Sequence, residues 1–545
     1  MQPIKSIAKI YLLFMYSFLF AQNSGDAVFS GIKVHTIKIQ FDQTNYWDSL
    51  TTYYDQGNEQ YIVAKITIDG TNIDSCGVRL KGNSSYSHPN NKKPMKIDFN
   101  QYRDNQRYDG LKGLFLNNCY SDPSFIREKI HLDFCRDTGI PAPRANYAMV
   151  YINNVVWGLY SIVEPVDKKF LSTHYGNKDG NLYKAVDAFG GGLPGGLGGG
   201  QTTSQILSDF VYYGSTSSSY TDHYELKTDD AVNPWTDLIS VINTLNNSIN
   251  ISDELPAQVN LTSVYKAIGT DILFANMDSY TESGRNFYVY FNKDTKKMEW
   301  IIWDVNMSFG SYPGSASTPE TISLTYTSSS SSRPLMSKIF GNSTLKTNYL
   351  NTIGEVFNKY FVPSKLNVQT DSIATIIRPY VILDTKKQYT LEQFDVNIAS
   401  DVIITSSGGQ VPGGSRTERK PGIKSFITSR YTNVKTQLAN YGITGISQDE
   451  MNLETPSEFS LSQNYPNPFN PETTISYKVQ EASQVSLIVY DVLGNEVATL
   501  VNEYKQAGFY NSQFSIRNSQ LPSGVYFYRL QAGNFSSVKK MLLVK

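Results

Sequence analysis

From Pro456 to Lys545 the chain settles into a period of two, and this constrains the fold more than any other feature. Gln484–Tyr490 (QVSLIVY), Tyr510–Ile516 and Val525–Leu530 alternate apolar with polar residues, as half-buried strands do. Turn residues separate them, as in Asp491-Val-Leu-Gly-Asn495 and Leu521-Pro-Ser-Gly524. Short strands at this spacing predict a small β-sandwich of about seven strands. A mostly polar stretch, Gly442 to Glu458, precedes it and reads as a joint, with the linker over 443–455 and the sandwich over 456–545.

The remaining chain is long enough for a large body. At about 100–200 residues per domain, 545 residues predict roughly three domains. Residues 27–442 mix strand and helix signals, so the body is expected to be α+β. Gly190–Gly200, Ser328–Ser332 and Ser406–Gly414 read as loops within it. The glycine run lacks the GK[ST] ending and the strand-then-helix context of a phosphate cradle.

Charge and composition exclude several functions. Lys plus Arg is 48 against 49 for Asp plus Glu, a net charge of −1, so nothing draws the whole chain to nucleic acid or an anionic membrane. Three cysteines without a CxxC pair exclude a disulfide framework. Five scattered histidines without an HExxH argue against a zinc centre. At the N-terminus Lys5 and Lys9 precede the apolar run Ile10–Phe20 and then Ala21, the pattern of a cleaved signal peptide over 1–21. No later stretch is apolar enough to span a bilayer, so no transmembrane helix is expected after cleavage.

Three stretches of the body carry candidate chemistry. In the first, Val78 and Leu80 alternate as a strand, Gly82-Asn83-Ser84-Ser85 turns, and Met95, Ile97 and Phe99 return. Small residues let backbone N–H groups approach phosphate oxygens, and Lys93 or Lys96 on the returning strand is placed to neutralise them. Alternation puts Lys96 on the face opposite Met95 and Ile97. The second stretch is a helix after Asp122 and Pro123, buried along Ile126, Ile130 and Phe134 and ended by Gly139. At about 100° per residue Glu128 falls opposite that stripe and is expected to face water. Asn146–Ile152 and Val155–Val163 then form a hairpin about Asn153-Asn154, ending at Glu164. In the third stretch two apolar strands join through Asn292–Lys297, with Asp278 before the first and Asp304 after the second. Both carboxylates then lie at one end of the hairpin. That arrangement suits one carboxylate for a hydroxyl proton and another for Mg²⁺, although a strand-ending Asp is also a common cap.

Together these stretches resemble the CotH kinases, atypical protein kinases of the spore-coat type. The matching pieces are RLKGNSS, KKPMKIDF, FIREKIHLDF, GIPAPR, NNVVWGLYSIVEPVDKKFL, GNKDGNLYK and NMDSYTESGRNFYVYF with WIIWDVNMSFG, in family order from Val78 to Gly310. PGIKSFITSRY near Pro421 is a weaker late match. The resemblance implies a two-lobed kinase-like body that transfers the γ-phosphoryl group of ATP to a protein hydroxyl. It implies that Gly82, Asn83, Ser84 and Ser85 cover the phosphates and that Lys96 or Lys93 pairs with them. It implies Asp278 as the catalytic residue, and Asp304, with Asn286, as ligands of Mg²⁺ or Mn²⁺. Glu164 is either a hinge residue beside the adenine or a structural carboxylate, and the carboxylate partner of the lysine is left unassigned. A kinase-fold adhesin or scaffold without turnover is the second functional class. The C-terminal region, through NYPNPFNP, YDVLGNEV, LPSGVYFYRL and KKMLLVK, resembles type IX secretion sorting domains. That resemblance implies passage through periplasm and outer membrane, the secretion machinery as a partner, and a protein substrate on the cell surface or among exported proteins.

Overall fold

The computed structural model describes residues 24–186, 208–228, 233–312, 314, 318–328, 332–407, 415–443, 458–464, 467–505, 508–516 and 521–544. The expected signal peptide, the Gly190–Gly200 loop and nearly all of the 443–455 linker lie outside the described residues. The chain divides into two compact units, Met1–Ile443 and Thr444–Lys545.

The first unit begins with strands β1 (Val34–Gln40), β2 (Ile62–Ile68), β3 (Thr71–Leu80), β4 (Met95–Asp98), β5 (Gly113–Asn117), β6 (Ala145–Ile152) and β7 (Val155–Val163). They close into a barrel in the order β1-β2-β3-β4-β5-β7-β6. The ring is sealed by the parallel pair β1–β6, running from Val34↔Tyr147 to Ile39↔Ile152. Alternation fills the barrel with Ile37, Val78, Met95, Ile97, Leu114 and Ile162, all fully buried. The β6–β7 turn needs left-handed backbone at both central residues, and Asn153 and Asn154 supply it with φ of 47° and 65°.

Helix Arg127–Asp137 crosses between β5 and β6. It starts one turn later than the sequence predicts. The Asp122 carboxylate accepts from the amides of Ser124 at 2.9 Å and Arg127 at 3.1 Å, so it caps an irregular turn ahead of the helix. Arg127 to Leu132 are all buried, because protein packs around the whole circumference of this turn. The apolar stripe therefore does not define a water-facing side, and Glu128 is 6% exposed rather than solvated.

A second sheet follows, formed by β8 (Leu182–Ala185), β9 (Tyr224–Leu226), β10 (Phe287–Asn292) and β11 (Lys297–Ile302) in the order β11-β10-β8-β9. Helices Leu261–Leu273, Pro363–Leu383 and Ile423–Asn440 belong to the same part of the body, with a hairpin of β12 (Val402–Ser407) and β13 (Ser415–Lys420). One apolar cluster lines the barrel and a larger one joins the helices to the second sheet. Arg430 is fully buried and donates to the carbonyls of Ile272 (3.0 Å) and Leu273 (3.2 Å), satisfying orphan acceptors at the end of helix Leu261–Leu273. Lys92, in the β3–β4 loop, and Asp384, just past helix Pro363–Leu383, form a fully buried ion pair at 2.7 Å.

In the second unit, β14 (Ser460–Leu461), β15 (Glu472–Val479) and β18 (Gly508–Ser515) make one sheet. β16 (Ser483–Tyr490), β17 (Glu496–Lys505), β19 (Gly524–Ala532) and β20 (Phe535–Leu543) make another, in the order β17-β16-β19-β20. Ile475 and Tyr477 of the first sheet share one core with Leu487, Tyr528 and Leu530 of the second. This is the sandwich that the alternation predicts.

Candidate active site

Lys81 leaves β3 on the outer face of the barrel, immediately before the Gly82–Ser85 turn. Its ammonium donates to Asn117 Oδ1 at 2.8 Å and lies 4.8 Å from the centre of the Phe115 ring. Asn117 Nδ2 in turn donates to Glu128 Oε1 at 2.8 Å, and Ser161 Oγ donates to Glu128 Oε2 at 2.8 Å. Burial pushes the Lys81 ammonium below the usual lysine range, opposed by the charges of Asp304 and Glu128. Burial, reinforced by the Asp304 charge, pushes the Glu128 carboxyl above the usual range. Lys81, Glu128 and Asp304 come from three distant segments and share one electrostatic environment.

Asp304 reaches this environment on the far end of β11. The register Phe287↔Ile302 makes Asn286 and Trp303 step off the hairpin side by side. Trp303 packs edge-on against Phe115, with ring centroids 5.4 Å apart, which brings the hairpin end onto the barrel. Asn286 and Asp304 both adopt positive φ, 62° and 53°. The Asn286 amide donates to the Asp278 carbonyl at 2.7 Å and to Asp278 Oδ2 at 3.1 Å. Arg285 holds the other carboxylate oxygen through Nε at 2.8 Å and Nη2 at 2.7 Å, and Ser283 Oγ adds a bond at 3.2 Å. Asp278 is thus fixed in orientation by its own loop and keeps 14% of its side chain exposed.

The Gly82–Ser85 turn is anchored on both sides. Tyr54 donates its hydroxyl to the Gly82 carbonyl at 2.6 Å and stacks on Tyr86 at 3.6 Å. Asn118 Nδ2 donates to the carbonyls of Ser85 (2.9 Å) and Lys92 (2.8 Å), so both limbs of the loop hang from one side chain. Gly82 has φ of 89°, and a Cβ there would stand 2.3 Å from Ser85 Oγ. Only glycine fits that turn without displacing the serine.

The other residues expected at the site lie as follows. Lys96 projects outward beside Phe115 in register, but its ammonium lies over the Tyr61 ring at 5.5 Å. Lys93 donates to the carbonyls of Tyr86 (2.7 Å) and His88 (2.8 Å) and supports the loop from behind. Glu164 takes the Arg144 guanidinium on both oxygens, at 2.6 and 3.0 Å. The sequence reading missed Lys81, Asn117 and Glu128. Lys81 was visible as the residue preceding the turn, but the charge of Asp304 marks it only once the hairpin end meets the barrel. Asp278, Asn286 and Asp304 do gather at one end of the β10–β11 hairpin.

A second buried network supports the same elements. His131 of helix Arg127–Asp137 meets Ser308 Oγ at 2.6 Å, on the loop that follows Asp304. Its other ring nitrogen stands 3.7 Å from Asp271, near the end of helix Leu261–Leu273. Burial holds the imidazole down at about 3 and lifts the Asp271 carboxyl to about 7. Both groups are therefore neutral over much of the acid range, and the His131–Ser308 contact ties the helix bearing Glu128 to the loop that follows Asp304.

The family model described as CotH kinase protein matches residues 78–434, more than half of the chain, including Lys81, Asn117, Glu128, Asp278, Asn286 and Asp304. The chain belongs to the CotH kinase family. Among curated proteins it is similar to the inner spore coat protein H of Bacillus subtilis (strain 168). The two are 24% identical over 306 residues, covering 56% of this chain and 77% of the spore coat protein. Residues 463–545 match the secretion system C-terminal sorting domain. This CotH-family protein therefore carries the address of the type IX secretion machinery and is exported to the cell surface or secreted. Among the described residues no helix is long and apolar enough to cross a membrane.

Proposed function

We propose that this protein is an exported protein kinase that transfers the γ-phosphoryl group of ATP to a serine or threonine hydroxyl, from a body with a two-lobed, kinase-like arrangement. The observation that carries the reading is the convergence of Lys81, Glu128 and Asp304 beside the hairpin end that presents Asp278 and Asn286. Lys81 takes the role first expected of Lys96 or Lys93, since neither of those ammonium groups turns toward the two carboxylates.

The residues fit a magnesium-bound nucleotide. Among the described residues no three His, Cys, Asp or Glu side chains cluster as a protein-only metal site. Magnesium held together with a nucleotide needs only one or two carboxylates, because phosphates and water complete its shell. Asp304 is the half-buried carboxylate for it, with Asn286 beside it. When bound, the metal would neutralise charge on the phosphates. The Gly82–Ser85 turn would offer backbone N–H groups to the phosphate oxygens, and Lys81 would pair with them. Asp278, oriented by Arg285 and Asn286, would receive the proton of the acceptor hydroxyl. The acceptor is a protein on the cell surface or among exported proteins.

The decisive measurement is Mg·ATP binding by purified residues 22–545, followed by phosphoryl transfer to the protein itself or to exported proteins. Lys81→Met should weaken Mg·ATP binding about tenfold to a hundredfold, as loss of a charged hydrogen bond does. Absence of Mg·ATP binding by the wild type would leave the scaffold reading in its place.

Export gives a separate prediction. Deleting residues 456–545 should leave the body inside the outer membrane while preserving its cooperative unfolding, because the sandwich has a core of its own. Surface labelling and cell fractionation read the first outcome, and thermal melting the second. Surface delivery of the truncated chain at the normal level would remove the sorting role.

A further inference from the structure

We infer that Asn117 is a positioning residue that keeps Lys81 out of a direct ion pair with Glu128 and so leaves it available to the nucleotide. The inference rests on the kinase reading for the task of Lys81, and on hydrogen-bond geometry for the task of Asn117.

Asn117 ends β5 with its amide between a cation and a carboxylate. The oxygen accepts from Lys81 and the nitrogen donates to Glu128, both at 2.8 Å. The opposite orientation would set NH₂ against NH₃⁺ and a carbonyl against a carboxylate, so the two neighbours dictate the amide's direction. Ser161, opposite Asn117 in the β5–β7 register, covers the other Glu128 oxygen. Glu128 therefore has each oxygen satisfied by a neutral donor and does not need the lysine.

The consequence concerns what Lys81 must give up to bind a polyphosphate. A direct lysine–carboxylate pair sets two full charges against each other, whereas the bond to Asn117 sets the ammonium against a neutral amide dipole and leaves its charge uncompensated. Asn117 occupies one of the three ammonium donors with a neutral acceptor, which fixes the side chain while leaving two donors for phosphate oxygens. The amide acts as a spacer: it transmits the placement of helix Arg127–Asp137, through Glu128, to Lys81 without neutralising it. Ser161 and Asn117 have no other assigned task in the site.

The test is a double-mutant cycle on residues 22–545, with Mg·ATP and adenosine as probes in calorimetric titrations. Asn117→Ala should weaken Mg·ATP binding about tenfold or more, with adenosine binding unchanged. In the Lys81→Met background the same substitution should add nothing, because its effect passes through Lys81. Asn117→Asp, equal in size, should also weaken Mg·ATP, since it gives Lys81 a charged partner and sets two carboxylates together. It keeps the experiment informative if the alanine variant folds poorly, and thermal midpoints identify that case. Equal losses from Asn117→Ala in both backgrounds, or equal losses for Mg·ATP and adenosine, would overturn the positioning role. A wild type that binds no Mg·ATP would instead remove the kinase reading, and this inference with it.

Discussion

Asp278→Asn should leave Mg·ATP binding nearly intact while phosphoryl transfer falls by about 10²–10⁴-fold, the usual cost of losing a general base. The side chains are close in size, and an asparagine oxygen at this position can still accept from the Arg285 guanidinium, so the loop should hold its shape. The loss should fall on kcat, because the proton is taken only in the transition state. Asp304→Ala should fail in the opposite way. It removes the half-buried carboxylate that faces Lys81, so Mg·ATP binding weakens first, and raised Mg²⁺ should restore part of it. Autophosphorylation rates and calorimetric titrations, run at several Mg²⁺ concentrations, separate the two patterns. Transfer by Asp278→Asn at the wild-type rate would exclude Asp278 as the base.

The largest effect on stability is expected at Asp384, far in sequence from the Gly82–Ser85 turn and outside the candidate site itself. Its carboxylate is fully buried, pairs with Lys92 at 2.7 Å, and accepts from the amides of Leu159 at 3.0 Å and Lys386 at 2.9 Å. Gly158 is the residue that lets β7 come this close, since a Cβ there would stand 2.7 Å from the carboxylate. Asp384→Ala leaves the buried Lys92 ammonium with only the Phe125 and Tyr160 rings and no opposite charge, which should cost about 3–5 kcal/mol. The double variant Lys92→Met with Asp384→Leu should recover much of that loss, because the desolvation of both charges disappears together. Denaturant midpoints of the two variants, at unchanged m-value, provide the comparison. A single variant within about 1 kcal/mol of wild type would show that water or a neighbouring group takes over the pair.

What the sequence made legible follows from the range of the forces involved. The hairpins were readable because period-two alternation and the Asn153-Asn154 turn are local, and the β10–β11 hairpin brings Asp278 and Asp304 to one end, as their places before its first strand and after its second predict. The sandwich was readable for the same reason. The lysine was not. Lys81, Lys93 and Lys96 all lie near the Gly82–Ser85 turn, and what separates them is the approach of Trp303 to Phe115, a contact across almost two hundred residues that no local pattern encodes. Glu128 failed for a related reason. A helical wheel assigns one side to water, yet Arg127 to Leu132 are enclosed on every side, and their polar groups are buried with partners: Asp122 and Asn397 for Arg127, Asn117 and Ser161 for Glu128, Ala145 for Lys129 and Ser308 for His131. Buried polar residues escape a reading based on hydrophobic stripes, since their partners come from elsewhere in the chain.

The order of the strands in the sorting domain also bears on how well that domain survives damage. β20 lies at the edge of its sheet, yet Met541 and Leu543 sit in the core, and the whole strand pairs along β19 from Gly524↔Leu543 to Ala532↔Phe535. A chain clipped before Phe535 would strip this edge strand from β19 and open the side of the core that holds Tyr528 and Leu530 to water. The sorting fold is only as durable as that edge.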